Sequence, residues 1–154
     1  MKNPQTLAEK FNKLFPDKKL ENIAKYGCCA FVLLWCLGIE TEDDADAIMI
    51  VADLIDKKKI KEDCTVKWVE VVEYLTGRTV TGVDFKKIKV IGNIRERTPV
   101  RFDYGKHSHW VGVENGIVAF NPLEYSNCVA NGKPAESRVL HIKGVTNARS
   151  KDNL

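Results

Sequence analysis

The chain has 154 residues, of which 44% are hydrophobic and 29% are charged. This length fits one domain over residues 1–154, and the composition supports a buried core and excludes wholesale disorder. The net charge of +3, from 24 basic and 21 acidic residues, is too even to indicate a nucleic-acid partner or an anionic membrane surface.

No apolar run in the sequence reaches the length of a membrane span. The first fifteen residues are amphipathic, carry Glu9 and lack the continuous apolar core of a signal peptide. We therefore expect a cytoplasmic protein whose cysteines are free thiols, because their odd number and their spacing indicate no disulfide framework. The five cysteines are Cys28, Cys29, Cys36, Cys64 and Cys128.

The first half of the chain has the periodicity of helices. A first helix is predicted from Pro4 to Phe15, with Pro4 in its first turn. The segment from Lys18 to Tyr26 has no decisive pattern and is treated as a connector. The further predicted helices are Cys28–Leu37, a helix that follows the caps Thr41–Asp44 and reaches about Asp56, and a helix from a Thr65 cap to Leu75.

The run CCAFVLLWCL, from Cys28 to Leu37, contains no charged residue. A helix that is apolar on all sides is buried, and Gly27 and Gly38 mark the ends of this one. We expect it to be the central helix, with Cys28 at its N-terminus. There the free N–H groups and the helix dipole favour the thiolate over the thiol, whose ordinary pKa is about 8.5.

After Gly77 the apolar pattern changes to the alternation of β-strands. Helices first and strands second is the order of an α+β domain with an antiparallel sheet. The predicted strands are Val80–Val83, Lys89–Ile91, Pro99–Asp103, Ser108–Val113, Ile117–Asn121 and Arg138–Ile142.

The segment 103–122 is predicted as a β-hairpin around Asn115-Gly116, which supplies the positive φ that a hairpin turn needs. A two-residue turn would place His109 and Asn121 on opposite faces of the hairpin, because side chains alternate along a strand. A three-residue loop, Glu114-Asn115-Gly116, would pair them directly and would pair Val113 with Ile117.

We prefer the three-residue loop because it pairs an apolar residue with an apolar one on one face of the hairpin and a polar residue with a polar one on the other. On one face Trp110 would pair with Phe120. On the other, the amide oxygen of Asn121 could hold one ring N–H of His109 and fix the tautomer. The alternative is a His and an Asn at strand ends, each solvated.

A thiol that opens a buried helix, with a His and an Asn across a cleft, forms the nucleophile, base and orienting group of acyl transfer. At these residues the sequence resembles the papain-like cysteine peptidase superfamily. Within it, the chain is most similar to the bacterial branch that contains the bacteriocin-processing, double-glycine leader peptidases. The motifs are Gly27-Cys28-Cys29, His109-Trp110-Val111-Gly112-Val113 and Ala119-Phe120-Asn121-Pro122.

This resemblance implies a papain-like α+β fold and a cysteine hydrolase that cleaves a peptide or isopeptide amide without a cofactor. Cys28 would be the nucleophile, His109 the general base and Asn121 the orienting group. Asn22, six residues before Cys28 where the family commonly has Gln, would stabilise the oxyanion.

Two residues near His109 are candidates for substrate binding. His107 would share the face of His109 in an extended strand, and Trp110 follows His109 directly. Cys29 is the alternative nucleophile, but Ile23 stands six residues before it and offers no amide. One position deeper in the helix, Cys29 would also turn about 100° away from the cleft.

Two other classes of function remain open. The chain could be a non-catalytic relative that uses the same fold as a binding module, or a metal-binding or purely structural α+β protein. His107 and His109 with the Cys28-Cys29 pair could bind zinc, but their spacing matches no usual zinc module, so no metal is predicted. The pattern chooses neither the substrate nor the oligomeric state.

Overall fold

The computed structural model describes residues 1–143, which form six helices and five strands. The predicted α+β class with an antiparallel sheet is confirmed. The helices are α1 (Pro4–Leu14), α2 (Lys18–Tyr26), α3 (Cys28–Cys36), α4 (Asp44–Asp56), α5 (Trp68–Thr76) and α6 (Asn127–Asn131). The strands are β1 (Val80–Lys87), β2 (Thr98–Tyr104), β3 (His107–Glu114), β4 (Ile117–Phe120) and β5 (Lys133–Ile142).

The five strands form one sheet in the order β1-β5-β2-β3-β4, with every neighbouring pair antiparallel. The larger core includes α3, whose residues Phe31, Val32, Leu33 and Leu34 have no exposed surface. A smaller core around Val100, Val111, Val113 and Cys128 packs separately. Because side chains alternate along a strand, β3 separates the two cores.

Gly112 lets α3 lie close against β3. A Cβ atom at this position would be 2.4 Å from the ring of Trp35. The same Trp35 ring stacks on Phe120 of β4, with 5.8 Å between the ring centroids and 11° between the planes. The helix that begins at Cys28 is therefore held against the hairpin that carries His109.

The segment from Lys18 to Tyr26, treated as a connector from its sequence, is the helix α2. Asp17 caps it by accepting the Leu20 N–H at 3.0 Å. Its buried residues, Ile23 and Ala24, form a short apolar stripe. The sequence of α2 has too few apolar residues to show a helical period, and packing against the rest of the protein stabilises this helix.

Two other boundaries differ from the predictions. Thr65 is not the cap of α5, because α5 begins at Trp68 and its preceding residue, Lys67, makes no side-chain cap. The predicted strand Lys89–Ile91 is an irregular connection, in which Ile91 packs on the smaller core. The short helix α6 has no counterpart among the predictions.

Within residues 1–143, no helix is both long enough and apolar enough to cross a membrane.

Candidate active site

Gly27 interrupts the helix immediately before Cys28. Its N–H donates to Ile23 O at 2.9 Å and its carbonyl accepts from Phe31 N–H at 3.2 Å, yet Gly27 itself lies outside both α2 and α3. A Cβ at position 27 would lie only 2.5 Å from Ile23 O. The absence of a side chain at Gly27 therefore allows α3 to begin anew at Cys28, as the sequence predicted.

The thiol of Cys28 lies in a nearly closed site lined by backbone donors. Cys28 is 9% exposed. Burial raises the pKa of its thiol, and the backbone N–H groups of Trp110, Cys29 and Cys28 lower it without offsetting the burial. The expected preference for the thiolate is therefore wrong for the resting protein, because desolvation outweighs the donors.

Two of these donors come from the start of α3 and the third comes from β3. Trp110 follows His109 directly, so the strand that carries the candidate base also brings an N–H group to the thiol. No hydrogen bond joins the Cys28 thiol to the His109 ring among the interactions of residues 1–143.

His109 and Asn121 form the contact that the sequence predicted. The Nε2 atom of His109 is 2.7 Å from Asn121 Oδ1. The same oxygen accepts the Leu123 N–H at 3.0 Å, which identifies it as the acceptor and makes Nε2–H the donor. In the neutral ring the lone pair is then on Nδ1, the atom that a general base needs.

The imidazole of His109 is almost fully enclosed, with 4% of the residue exposed. This burial lowers its pKa, while the hydrogen bond from Nε2 to Asn121 raises it by a smaller amount. At neutral pH the ring is therefore neutral and can accept a proton.

The loop that joins β3 to β4 is shorter than predicted. Asn115 and Gly116 form a two-residue turn, and both have positive φ, 52° and 78°. The predicted three-residue loop, with its pairing of Val113 and Ile117, is wrong. The observed pairs are Glu114 with Ile117, Val113 with Val118 and Gly112 with Phe120.

A β-bulge nevertheless places His109 and Asn121 on one face. Ala119 has no partner between the pairs Val113–Val118 and Gly112–Phe120. This extra residue shifts the register by one and reverses the faces of everything beyond it. The predicted pairing of Trp110 with Phe120 is also wrong, since Phe120 lies opposite Gly112.

Three residues at the N-terminus hold the segment that presents Asn121; we call Asn3, Gln5 and Thr6 the N-terminal clasp. Asn3 Nδ2 donates to Asn121 O at 2.9 Å, and the Gln5 N–H donates to Pro122 O at 2.9 Å. Thr6 Oγ1 accepts the Glu124 N–H at 2.9 Å. Each of the three residues thus bonds a position between 121 and 124.

Gln5 also reaches the helix that precedes the nucleophile. Its Nε2 donates to Ala24 O at 2.8 Å, the carbonyl that would accept the Cys28 N–H in a continuous helix. Gln5 is 2% exposed, and its Oε1 has no hydrogen-bond partner within residues 1–143. The clasp was not predicted, because no local sequence pattern at Asn3, Gln5 or Thr6 indicates hydrogen bonds to residues more than a hundred positions away.

The remaining candidates lie around this centre in different ways. Asn22 Nδ2 donates to Glu62 O at 3.0 Å and lines a cavity of about 590 Å³ that neither Cys28 nor His109 lines. His107 is exposed at the start of β3. The half-buried Trp110 meets the edge of Trp68 with 5.6 Å between centroids. No group of three or more His, Cys, Asp or Glu side chains within residues 1–143 is arranged to hold a metal ion.

Cys29 differs from its neighbour. Burial raises the pKa of the Cys29 thiol well above its ordinary value; the adjacent Cys28 thiol raises it further, and Arg138 lowers it by less than burial raises it. Backbone N–H groups are the main influence that lowers the pKa of Cys28, whereas for Cys29 the main one is Arg138.

Comparison of the chain with protein-family models, with curated proteins and with solved structures gives no significant match in any of the three.

Proposed function

We propose that this protein is a cysteine hydrolase of the papain-like superfamily, with Cys28 as nucleophile, His109 as general base and Asn121 as orienting residue. The observation that carries the proposal is the 2.7 Å contact between His109 Nε2 and Asn121 Oδ1. It lies beside the strand residue whose N–H approaches the Cys28 thiol. A buried imidazole with one nitrogen fixed is the arrangement that a general base requires.

In the first half-reaction the Cys28 sulfur attacks the carbonyl carbon of a peptide or isopeptide amide. The thiol proton passes to His109 Nδ1 as the C–S bond forms, and the carbonyl oxygen becomes an oxyanion. The C–N bond then breaks, and the proton on Nδ1 is transferred to the departing amine. The product is a thioester on Cys28.

In the second half-reaction a water molecule attacks the thioester carbon and gives a proton to Nδ1. The C–S bond breaks, the carboxylic acid leaves, and the proton returns to the Cys28 sulfur. Through both steps Asn121 keeps Nε2 protonated and the ring in place.

The oxyanion needs donors at the position where its charge develops. The backbone N–H of Cys28 is one, because it opens α3 at the break made by Gly27. The second is the side chain of Asn22, which has two N–H donors, one of them bonded to Glu62. This role requires the amide to turn or to use its second N–H.

The resting pair is a neutral thiol and a neutral imidazole, because burial raises the pKa of Cys28 and lowers that of His109. Proton transfer therefore accompanies attack on the substrate and does not precede it. This state also favours a second candidate, a papain-like binding module without turnover. It has the same cleft, and no bond links the thiol to the ring within residues 1–143.

Cleavage of a peptide mixture distinguishes the two candidates. Wild-type protein, Cys28→Ser and the matched variant Cys29→Ser are incubated with a proteome-derived peptide library, and new termini are identified by mass spectrometry. The hydrolase should generate new termini in wild type and Cys29→Ser but not in Cys28→Ser. Bound but uncleaved peptides in all three would favour the binding module.

A further inference from the structure

Arg138 on β5 is held among three aromatic rings. Its guanidinium carbon lies 3.6 Å from the centroid of Phe85, 4.9 Å from that of Trp68 and 5.4 Å from that of Trp110. Only 16% of the side chain is exposed. Stacking on this scale fixes the plane of the guanidinium before any ligand arrives.

The fixed guanidinium has more donors than partners. Its Nε–H donates to Glu136 Oε2 at 2.9 Å, and neither Nη atom has a hydrogen-bond acceptor among residues 1–143. These atoms are not sealed from solvent, because the only buried side-chain N or O atom without a partner in that part of the chain is Gln5 Oε1. A planar fork of N–H groups thus faces accessible space.

Arg101, which pairs with the same Glu136 as Arg138, is an example of a guanidinium whose N–H groups are bonded to protein carboxylates. Its Nε and Nη2 donate to the two carboxylate oxygens of Asp103 at 2.9 and 3.2 Å. Its Nη1 lies 3.7 Å from Glu136 Oε1. The fork of Arg101 is filled by a protein carboxylate and that of Arg138 is not.

The space beside Arg138 is a cavity of about 1130 Å³ between the C-terminal ends of α3 and α5 and the sheet. Leu75, Pro99, Leu140 and Ile142 contribute apolar lining. The charged residues on its wall are of both signs, and include Arg95, Arg97 and Arg138 as well as Glu40, Glu96 and Glu114. A cavity of this size accommodates several amino-acid side chains.

Trp110 connects this fork to the candidate nucleophile. Its ring lies beside the guanidinium of Arg138, while its backbone N–H approaches the Cys28 thiol. Arg138 also lowers the pKa of Cys29, the residue after the nucleophile. A group bound by Arg138 would therefore be a few residues or less from an amide held at Cys28.

We propose that Arg138 binds a carboxylate of the peptide substrate, an Asp or Glu side chain near the scissile amide, and that the adjoining cavity takes apolar neighbours of that residue. This assignment rests on the proposed function. A carboxylate matches the free fork in a bidentate manner. Glu136, bonded to the same guanidinium, repels a doubly charged phosphate more strongly than a singly charged carboxylate.

Binding to a protein that cannot turn over tests the assignment. Immobilised Cys28→Ala protein is incubated with acetylated, amidated hexapeptides of mixed sequence that have Glu at one fixed position, and with a matched pool that has Gln there. Bound peptides are quantified by mass spectrometry. The Glu pool should be retained about tenfold better, as expected for a charge-assisted hydrogen-bond pair.

Three variants of the Cys28→Ala protein distinguish the contribution of the Arg138 N–H groups from that of positive charge in the cavity. Arg138→Gln should abolish the preference for Glu. Arg138→Lys, which keeps the charge and packs on the same rings, should retain only part of it. Arg95→Gln removes the same charge from the same cavity and should change the preference by less than about twofold, since surface charges contribute little. Thermal unfolding checks that each variant is folded.

Equal retention of the two pools, or a preference that survives Arg138→Gln, would overturn the assignment. So would a loss of preference in Arg95→Gln as large as in Arg138→Gln. These outcomes are independent of turnover: cleavage by wild type without a preference for Glu would refute only the Arg138 site. A preference for Glu without any cleavage would refute the hydrolase.

Discussion

The two ends of α3 carry the same residue in opposite electrostatic settings. At the N-terminal end the Cys28 thiol is buried but lies among the N–H groups of Cys28, Cys29 and Trp110. At the C-terminal end Cys36 is less buried, yet desolvation raises the pKa of its thiol strongly, with Arg97 lowering it and Glu114 raising it. Arg97 Nη1 donates to Trp35 O at 2.8 Å, a carbonyl at the end of α3 that also accepts the Gly38 N–H.

Exposure alone therefore does not rank the reactivity of these thiols. Negative charge on sulfur is stabilised at a helix N-terminus and destabilised at a C-terminus. The more accessible Cys36 should therefore be the less reactive thiol, and the buried Cys28 the more reactive one. The predictions below test this contrast and the packing around Cys28 and His109, beginning with the largest effect.

The largest effect is expected from exchanging sulfur for oxygen at each end of α3. Cys28→Ser should reduce peptide cleavage below detection, because an unactivated hydroxyl is a much poorer nucleophile than a thiolate. Cys36→Ser should have a far smaller effect on cleavage, because the Cys36 sulfur takes no part in the reaction. Cleavage rates and circular dichroism spectra of both variants check this, and equal losses at the two ends would contradict the contrast.

Removing the base is expected to have the next largest effect. His109→Ala should lower the cleavage rate by roughly 10²–10⁴-fold, the usual contribution of general acid–base catalysis. It should also slow iodoacetamide alkylation of Cys28 while leaving Cys36 unaffected. Asn121→Ala should do less, because it only orients the ring. Unchanged alkylation of Cys28 in His109→Ala would favour the binding module.

Sequence reasoning identified the buried helix with Cys28 at its start, and the facing of His109 and Asn121. Both rest on short-range patterns: an uninterrupted apolar run after Gly27, and an Asn-Gly turn. The facing of His109 and Asn121 was predicted from a three-residue loop, which is the wrong register. The bulge at Ala119 that brings them to one face arises from packing, which the alternation of side chains does not encode. The balance between burial and N–H donors at Cys28 likewise depends on the folded surroundings.

Stability should depend on pH through His109. Its folded pKa is below the ordinary value because the ring is buried. The unfolded chain therefore binds a proton first as pH falls below about 6.5. The free energy of unfolding should decrease from there down to the folded pKa. Urea denaturation between pH 7.5 and 5 should show this slope in wild type and a weaker one in His109→Ala, and identical slopes would contradict the buried ring.

A smaller effect is expected from the side chain of Gln5, which bonds the end of α2. Gln5→Met keeps the shape of the side chain but removes the N–H that bonds Ala24 O. The free energy of unfolding should fall by about 0.5–1.5 kcal/mol, the contribution of one hydrogen bond. Lys10→Met, on the exposed side of α1, is the control and should change little. Urea denaturation measures both, and equal changes would leave the bond from Gln5 to Ala24 without energetic support.

The smallest effect on reactivity is expected at Cys29. Cys29→Ser should leave alkylation of Cys28 nearly intact, because burial raises the pKa of the Cys29 thiol well above its ordinary value and keeps that thiol unreactive. It should lower stability slightly by placing a hydroxyl in an apolar surrounding. Alkylation kinetics followed by peptide mapping measure this, and a loss of single-site alkylation would transfer the nucleophile to Cys29.

Trapping with a thiol-directed peptide electrophile near neutral pH tests directly whether Cys28 is the activated thiol. Tryptic mapping by mass spectrometry locates the adduct. A single fast adduct on Cys28, formed more slowly in His109→Ala, is the predicted result. Faster labelling of Cys29 or Cys36, or slow and uniform labelling of all five cysteines, would contradict it.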